Sequence, residues 1–246
     1  MRIAENVYLL ASGALGTGMT HPNDCNVYAV RCGHEFVLID SGVGRETGCV
    51  LNNLAADAID LGKVHSLFLT HAHLDHSGGA RQLREALDLR VCASAECAKA
   101  LEAGDEGAIS LDVAKRAGIY PQDFEFSSCP VDRVLVDGER FQMGNYEVEV
   151  VATPGHSHDM LSYLFRSPRE TMLFCGDTLF FGGKILLSNL YDCNVQDYVC
   201  SLRKLARQPF DGLFPGHHLW VVRGAAVHLK TAIDTLDRLL LPSNLI

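Results

Sequence analysis

Four apolar runs of strand length each stop just before a histidine or an aspartate. In an α/β protein, ligands bind in the crevice outside the carboxyl ends of the strands. The pattern therefore predicts an α/β fold that carries a functional site at these strand ends. The four residues are His71, His156, Asp177 and His217, which follow the runs at 66–70, 146–152, 171–175 and 212–214.

A glycine directly precedes three of these residues, at Gly155, Gly176 and Gly216. Glycine adopts the backbone conformations that tight turns require, and such turns can direct the next side chain inward. Histidines scattered for structural reasons would have no cause to follow this pattern. The glycines therefore favour a functional cluster.

The run from His71 to His76 reads HAHLDH and indicates metal binding. Alternate residues of an extended turn place His71 and His73 on one side, while Asp75 and His76 can face a second point. Imidazole and carboxylate groups are zinc ligands. The spacing predicts a first metal bound by His71, His73 and His156, a second bound by Asp75, His76 and His217, and Asp177 shared between the two.

Two cations a few Å apart would share a water molecule and lower its pKa towards neutrality. The expected cofactors are two divalent metal ions, with zinc favoured and manganese, iron or cobalt as alternatives. The expected chemistry is attack of a bridging hydroxide on an ester, lactone or thioester carbonyl. Asp75 is a candidate catalytic residue, since it or a metal-bound water could return a proton to the leaving group.

Short apolar runs alternate with amphipathic stretches along the whole chain, and no Pro-rich or low-complexity linker interrupts them. The pattern predicts a single domain over residues 1–246 with a mainly helical insert at about 94–126. It also predicts a strand at 131–136 and helices at 195–207 and 225–240.

The net charge indicates which partners to expect, and cysteine usage indicates the compartment. The net charge is −9, and Lys and Arg form no cluster, so a nucleic-acid partner is not expected. The nine cysteines show no CxxC spacing and are expected to be mostly buried thiols in a reducing compartment. The chain begins with no signal peptide and contains no membrane span, so a cytoplasmic location is expected. The expected partner is a small-molecule substrate, and a homodimer is possible.

Several motifs together resemble the metallo-β-lactamase superfamily. They are THAHLDHSGG at 70–79, TPGH at 153–156, GDTLF at 176–180 and PGH at 215–217. The resemblance implies a four-layer αββα sandwich and the ligand set given above. It also implies that Asp40 supports the metal ligands from behind. The complete HxHxDH motif is similar to the dinuclear members, such as glyoxalase II and the lactonases.

The resemblance leaves the substrate open. Zinc β-lactamases of the commonest type carry HxHxDR or a cysteine ligand, so β-lactam hydrolysis is a secondary alternative. A persulfide dioxygenase with a single iron is another alternative. Only 29 residues follow His217, which makes the glutathione-binding region of glyoxalase II doubtful. The candidate substrate contacts are His158, Phe180 and His218.

Overall fold

The computed structural model describes residues 1–246, which divide into two units, Met1–Leu135 and Val136–Ile246. Each unit contains one β-sheet with helices. The prediction of a single domain stays a prediction. None of the helices is long and apolar enough to cross a membrane.

The first unit contains a six-stranded sheet in the order β1-β2-β3-β4-β5-β6. Pairing is antiparallel from β1 to β3 and parallel from β3 to β6. The strands are β1 (Val7–Ala11), β2 (Val27–Cys32), β3 (Glu35–Ile39), β4 (Val64–Phe68), β5 (Arg90–Ala93) and β6 (Arg133–Val134). The helices are α1 (Thr47–Ala56), α2 (Leu74–Ser77), α3 (Ala80–Leu87), α4 (Ala95–Ala103) and α5 (Leu111–Arg116), with a 3-10 turn at Leu61–Lys63.

The second unit contains a five-stranded sheet in the order β11-β10-β9-β8-β7. The β10–β11 pair is parallel and the other pairs are antiparallel. The strands are β7 (Arg140–Met143), β8 (Tyr146–Ala152), β9 (Leu161–Arg166), β10 (Thr171–Gly176) and β11 (Gly212–Pro215). The helices are α6 (Val195–Leu205) and α7 (Ala226–Asp237), with a 3-10 turn at Phe181–Gly183.

Helix α6 begins at a side-chain cap and buries one face. The Asn194 side chain accepts hydrogen bonds from the backbone N–H groups of Gln196 and Asp197, which the first helical turn leaves without helical partners. The buried residues of α6 recur at helical spacing and pack with β9, β10, β11 and α7 in the apolar core of this unit. They are Tyr198, Leu202 and Leu205, and Ser201 of the same helix is also buried.

The strand predicted at 131–136 is shorter in the structure, where β6 covers only Arg133–Val134. Asp132 explains the late start, because its side chain accepts a hydrogen bond from Val91 N–H in the neighbouring strand β5. It also pairs with Arg84 of α3. The side chain of Asp132 therefore takes a strand contact that a backbone carbonyl would otherwise make.

The segment at 94–126 contains helices α4 and α5 and no strand. Helix α4 begins at Ser94, whose hydroxyl accepts a hydrogen bond from Cys97 N–H, and its C-cap is Gly104 in the left-handed conformation. Residues 117–126 form turns and irregular structure. The helical part of this segment is therefore confined to 95–103 and 111–116.

Candidate metal centre

The second sheet brings three predicted ligands together. Asp177 follows β10 and His217 follows β11, and these two strands are parallel neighbours. His156 follows β8, which runs in the same direction as β10 because both are antiparallel to β9. The Nε2 atoms of His156 and His217 each lie 3.5 Å from Asp177 Oδ2. The three side chains are buried, with exposed fractions of at most 6%.

A backbone carbonyl fixes the tautomer of His156. Its Nδ1 atom donates a hydrogen bond of 2.9 Å to the carbonyl oxygen of Leu186. A carbonyl oxygen can only accept, so Nδ1 carries the proton and the lone pair of the neutral ring lies on Nε2. Nε2 is the nitrogen that faces Asp177, which is the arrangement expected of a metal-binding histidine.

The first sheet places the HxHxDH residues at the carboxyl end of β4. His71 lies just after this strand, His73 is the N-cap of α2, and Asp75 and His76 lie within α2. The ring centroid of His71 lies 4.6 Å from that of His73 and 4.1 Å from that of His76. Asp75 Oδ2 lies 3.7 Å from His76 Nε2. The structure therefore clusters these four residues within the first unit.

Asp40 supports this cluster from the end of the neighbouring parallel strand, β3. Its Oδ2 accepts a hydrogen bond of 2.8 Å from His76 Nδ1, and its Oδ1 accepts one of 2.7 Å from Thr70 N–H. Asp40 has a φ of 60°, a left-handed conformation that is unfavourable for most residues. The carboxylate thus keeps the lone pair of neutral His76 on Nε2, beside Asp75.

Thr70 extends this support to His71. Its hydroxyl lies 2.9 Å from Asp40 Oδ2 and 3.0 Å from His71 Nδ1. When the hydroxyl donates its one proton to Asp40, it accepts the proton of His71 Nδ1–H, and the lone pair of His71 lies on Nε2. One carboxylate therefore orients two histidines, one directly and one through a hydroxyl.

Cys25 lies in the same part of the first unit, with its sulfur within 4.8 Å of ligand-type atoms of Asp40 and His76. Burial raises the pKa of its thiol to about 12. Both Asp40 oxygens already accept hydrogen bonds, and His76 Nδ1 donates one of them. We interpret Cys25 as a packing residue behind His76.

The three candidate substrate contacts have different environments. The His158 side chain is 46% exposed, and its ring lies 5.8 Å from that of Tyr191. Phe180 is fully buried. His218 is half-buried, has a φ of 63°, and has a pKa lowered by burial and by Lys184. Their contact with a substrate stays a prediction.

Sequence reasoning did not assign the roles of Thr70, Leu186 and Tyr198 in the site. Leu186 acts through its backbone carbonyl, which leaves no trace in a single sequence. The Tyr198 hydroxyl donates a hydrogen bond of 2.5 Å to the backbone carbonyl of Asp177. The signal available for Tyr198 was an aromatic residue at a core position of an amphipathic helix, which indicates packing.

The donor types of these residues fit divalent metal ions. They offer imidazole nitrogens and carboxylate oxygens, the groups that bind zinc in proteins. Asp177 is a buried carboxylate flanked by two imidazoles, and a cation would offset the cost of burying its charge. The predicted ligands are His71, His73, Asp75 and His76 in the first unit and His156, Asp177 and His217 in the second.

Two curated relatives are similar to this chain in sequence. An atrochrysone carboxyl ACP thioesterase of Aspergillus fumigatus is 29% identical over 214 residues, which cover 87% of this chain and 56% of the relative. A hydroxyacylglutathione hydrolase of Rhodospirillum rubrum is 31% identical over 149 residues, which cover 60% of this chain and 46% of the relative. The aligned region is thus about half the length of each relative.

Solved structures of metallo-β-lactamases share the fold. The subclass B3 enzyme BJP-1 of Bradyrhizobium japonicum has a TM-score of 0.69 at 21% identity, with 97% of this chain and 92% of that chain covered. At this identity the comparison concerns the fold alone. It confirms the expected α/β fold of the metallo-β-lactamase type, with two sheets.

The family model that describes the metallo-β-lactamase superfamily matches residues 21–217 of this chain. This range extends from the loop before β2 to the last predicted ligand, His217, and includes every motif on which the resemblance rests. The chain therefore belongs to the metallo-β-lactamase superfamily, a superfamily of metal-dependent hydrolases.

Proposed function

We propose that this protein is a hydrolase that uses two divalent metal ions, with zinc favoured, to cleave a thioester. The main support is the set of buried imidazoles and carboxylates at the strand ends, in a chain of this superfamily. Esters and lactones belong to the same reaction class, because water attacks an activated carbonyl in each.

The sequence relatives favour a thioester among these substrates. One relative is named as an acyl-carrier-protein thioesterase and the other as a hydroxyacylglutathione hydrolase, and both names describe cleavage of a carbonyl–sulfur bond. The solved β-lactamases are similar to this chain in fold alone, so they do not carry an argument for β-lactam hydrolysis. A phosphodiester substrate would favour a cluster of cationic residues, which this chain of net charge −9 lacks.

The proposed ligand assignment follows the sequence spacing and the superfamily motifs. His71, His73 and His156 would bind one ion, and Asp75, His76 and His217 would bind the other. Asp177 would be shared between the two. The tautomers support the assignment, because hydrogen bonds at Nδ1 of His71, His76 and His156 direct the Nε2 lone pair to a metal.

Bound metal ions would supply a hydroxide nucleophile at neutral pH and polarise the carbonyl oxygen of the substrate. The protein itself holds the imidazoles in the required tautomers through Asp40, Thr70 and Leu186. Asp75 is partly exposed, at 29% of its side chain, and it lies beside His76. It is therefore the carboxylate best placed to pass a proton to the departing sulfur.

The test compares matched substrates on metal-loaded and chelated protein. The panel contains an acyl-pantetheine thioester, an acyl-glutathione thioester, the corresponding oxygen esters, a lactone and a β-lactam. We expect the highest kcat/KM with a thioester, and loss of that activity on chelation with recovery on adding zinc. A panel in which no carbonyl substrate is cleaved by metal-loaded protein would contradict the proposal.

A ligand variant and a matched control separate metal chemistry from general damage. His156→Ala removes a proposed ligand and is expected to lower kcat/KM by at least about 100-fold. His65→Ala removes an exposed histidine of β4 and is expected to leave kcat/KM unchanged. Equal activity in the two variants would exclude His156 from the reaction.

A further inference from the structure

Helix α6 packs directly against the turn that carries His156. A Cβ atom at Gly155 would lie 2.5 Å from Tyr198 Cα, so Tyr198 occupies the space that any other side chain would need. Asn194 N–H donates a hydrogen bond of 2.8 Å to Gly155 O, and Ser201 Oγ donates one of 2.6 Å to Pro154 O. Three points of α6 thus contact two consecutive residues that precede a ligand.

The Tyr198 hydroxyl joins two further segments beyond this contact. It donates to Asp177 O at 2.5 Å and accepts from Leu186 N–H at 3.0 Å. Tyr198 is almost fully buried. Its hydroxyl acts as donor and acceptor at once.

Leu186 links this hydroxyl to a second ligand. Its N–H is held by Tyr198, and its carbonyl accepts the Nδ1–H of His156 at 2.9 Å. A displacement of Leu186 would therefore move the acceptor that sets the His156 tautomer. One tyrosine hydroxyl thus contacts the backbone of Asp177 and, through one peptide segment, positions His156.

The segment Ser243–Leu245 makes hydrogen bonds to Ile185 and Leu187, the two neighbours of Leu186. Ile185 N–H donates to Ser243 O at 3.1 Å, and Leu245 N–H donates to Ile185 O at 2.8 Å. The Asn244 side chain adds two hydrogen bonds to the backbone of Leu187, at 2.9 Å to its N–H and 3.0 Å to its carbonyl. Leu186 is therefore held directly by Tyr198, and its two neighbours are held by the segment Ser243–Leu245.

We propose that Tyr198 is a positioning residue for the metal centre, which couples His156 to Asp177 through its hydroxyl, and that Asn244 braces the same linkage. This inference rests on the proposed role of His156 and Asp177 as metal ligands. Tyr198 and Asn244 are not themselves proposed as ligands. Tyr198 holds Leu186 directly and Asn244 holds the adjacent Leu187, and together they keep the Leu186 carbonyl where it orients the His156 imidazole.

The test removes one hydroxyl in each of two variants. Tyr198→Phe deletes the linking oxygen. Tyr146→Phe is the matched control, because Tyr146 is also fully buried in the second unit and its hydroxyl donates to Glu170, which is not a proposed ligand. Both apo proteins are expected to lose some thermal stability. Zinc affinity, measured by competition with a chromophoric chelator, is expected to fall about 10- to 100-fold only in Tyr198→Phe.

Cobalt-loaded protein gives a second readout that a purely structural role would not change. We expect the visible absorption bands of bound cobalt to shift in Tyr198→Phe and to match wild type in Tyr146→Phe. If Tyr198→Phe fails to fold, Asn244→Ala replaces it, with an expected loss of zinc affinity of about 3- to 10-fold.

The outcomes separate the two proposals. The deciding variant is Tyr198→Phe, or Asn244→Ala where Tyr198→Phe does not fold. If wild-type protein binds zinc and this variant binds zinc equally tightly with an unchanged cobalt spectrum, the positioning role is wrong and the proposed function stands. If wild-type protein binds no divalent metal, both proposals fail together. An equal loss of zinc affinity in Tyr198→Phe and Tyr146→Phe would also overturn the positioning role, because it would reflect general destabilisation.

Discussion

At the scale of single residues, Asp40 supports the predicted ligands of the first unit through three hydrogen bonds to its carboxylate. Its carboxylate accepts hydrogen bonds from His76 Nδ1, Thr70 N–H and Thr70 Oγ1 while its backbone stays in the left-handed region. A strained conformation persists only where surrounding contacts hold it. Both carboxylate oxygens are therefore needed as acceptors.

Asp40→Asn tests this requirement with almost no change of shape. The amide offers one acceptor and one donor, so either His76 Nδ1–H or a Thr70 donor faces an NH₂ group. We expect zinc affinity to fall about 10- to 100-fold in chelator competition. Asp234→Asn, at an exposed residue paired with Lys230, is the control and should bind zinc as wild type does. Wild-type affinity in Asp40→Asn would show that the second acceptor is unnecessary.

Cys32 gives a prediction about alkaline stability. Burial raises the pKa of its thiol from 9.0 to about 12. The folded state keeps this proton more tightly than the unfolded state, so the stabilising contribution is complete below pH 9 and is lost as the pH rises towards 12. At pH 10 the loss is about 1 kcal/mol.

The measurement is urea unfolding at pH 8 and pH 10. Cys32→Ala is expected to lose about 1 kcal/mol less stability than wild type between these pH values. Cys200→Ala removes an exposed thiol and should keep the wild-type pH dependence. If Cys32→Ala and wild type show the same loss, ionisation of Cys32 does not contribute.

At the scale of secondary-structure elements, α6 depends on a glycine in the neighbouring turn. Gly155→Ala would force a Cβ against Tyr198 at a φ of 148°. We expect a destabilisation of roughly 3 kcal/mol or more in urea unfolding. Gly138→Ala is the control, since Gly138 also has a positive φ, of 76°, but no atom lies within 4 Å of the added Cβ. Its expected cost is about 1–2 kcal/mol, from backbone strain alone.

An equal cost in the two glycine variants would contradict the role of Gly155 as the contact point of α6. A larger cost in Gly155→Ala would support that role, because the added Cβ lies 2.5 Å from Tyr198 Cα and 2.7 Å from its Cβ.

Much of this level of structure was predictable. The runs at 35–39, 146–152 and 171–175 are strands in both sequence and structure, because their apolar residues, continuous or alternating, supply the buried positions. The prediction that most cysteines are buried thiols is confirmed, since six of nine are buried and all are free. The strand at 131–136 was overestimated, because a single sequence does not indicate that the Asp132 side chain bonds a neighbouring strand.

The supporting contacts were less predictable than the clustering of the proposed ligands. Histidines and aspartates after strands leave a visible pattern, whereas Leu186 acts through its backbone and Tyr198 looks like a core residue. Asn244 lies 57 residues from the Leu187 backbone that it holds. Contacts of this kind depend on the tertiary structure, which spacing along the chain does not indicate.

At the scale of the whole molecule, the comparison of structures and the comparison of sequences find relatives that are named for different reactions. One structural neighbour is a metallo-β-lactamase at 21% identity, while two curated sequence relatives are named as an ACP thioesterase and a hydroxyacylglutathione hydrolase. A fold accommodates many reactions, so the substrate must be inferred from the site and from the nearer sequences. Cleavage of a β-lactam or of a thioester would depend equally on the two clusters of proposed ligands.

The most direct test of the central claim is the metal content of the purified protein, measured by elemental analysis together with a zinc titration of chelated protein. We predict about two zinc ions per chain at saturation, because seven ligand side chains suit two ions with one shared carboxylate. His156→Ala should hold fewer ions, whereas His65→Ala should match wild type. Fewer than about 0.2 metal ions per chain, with no uptake and no activity after reconstitution, would contradict the assignment of this protein as a metal-dependent hydrolase.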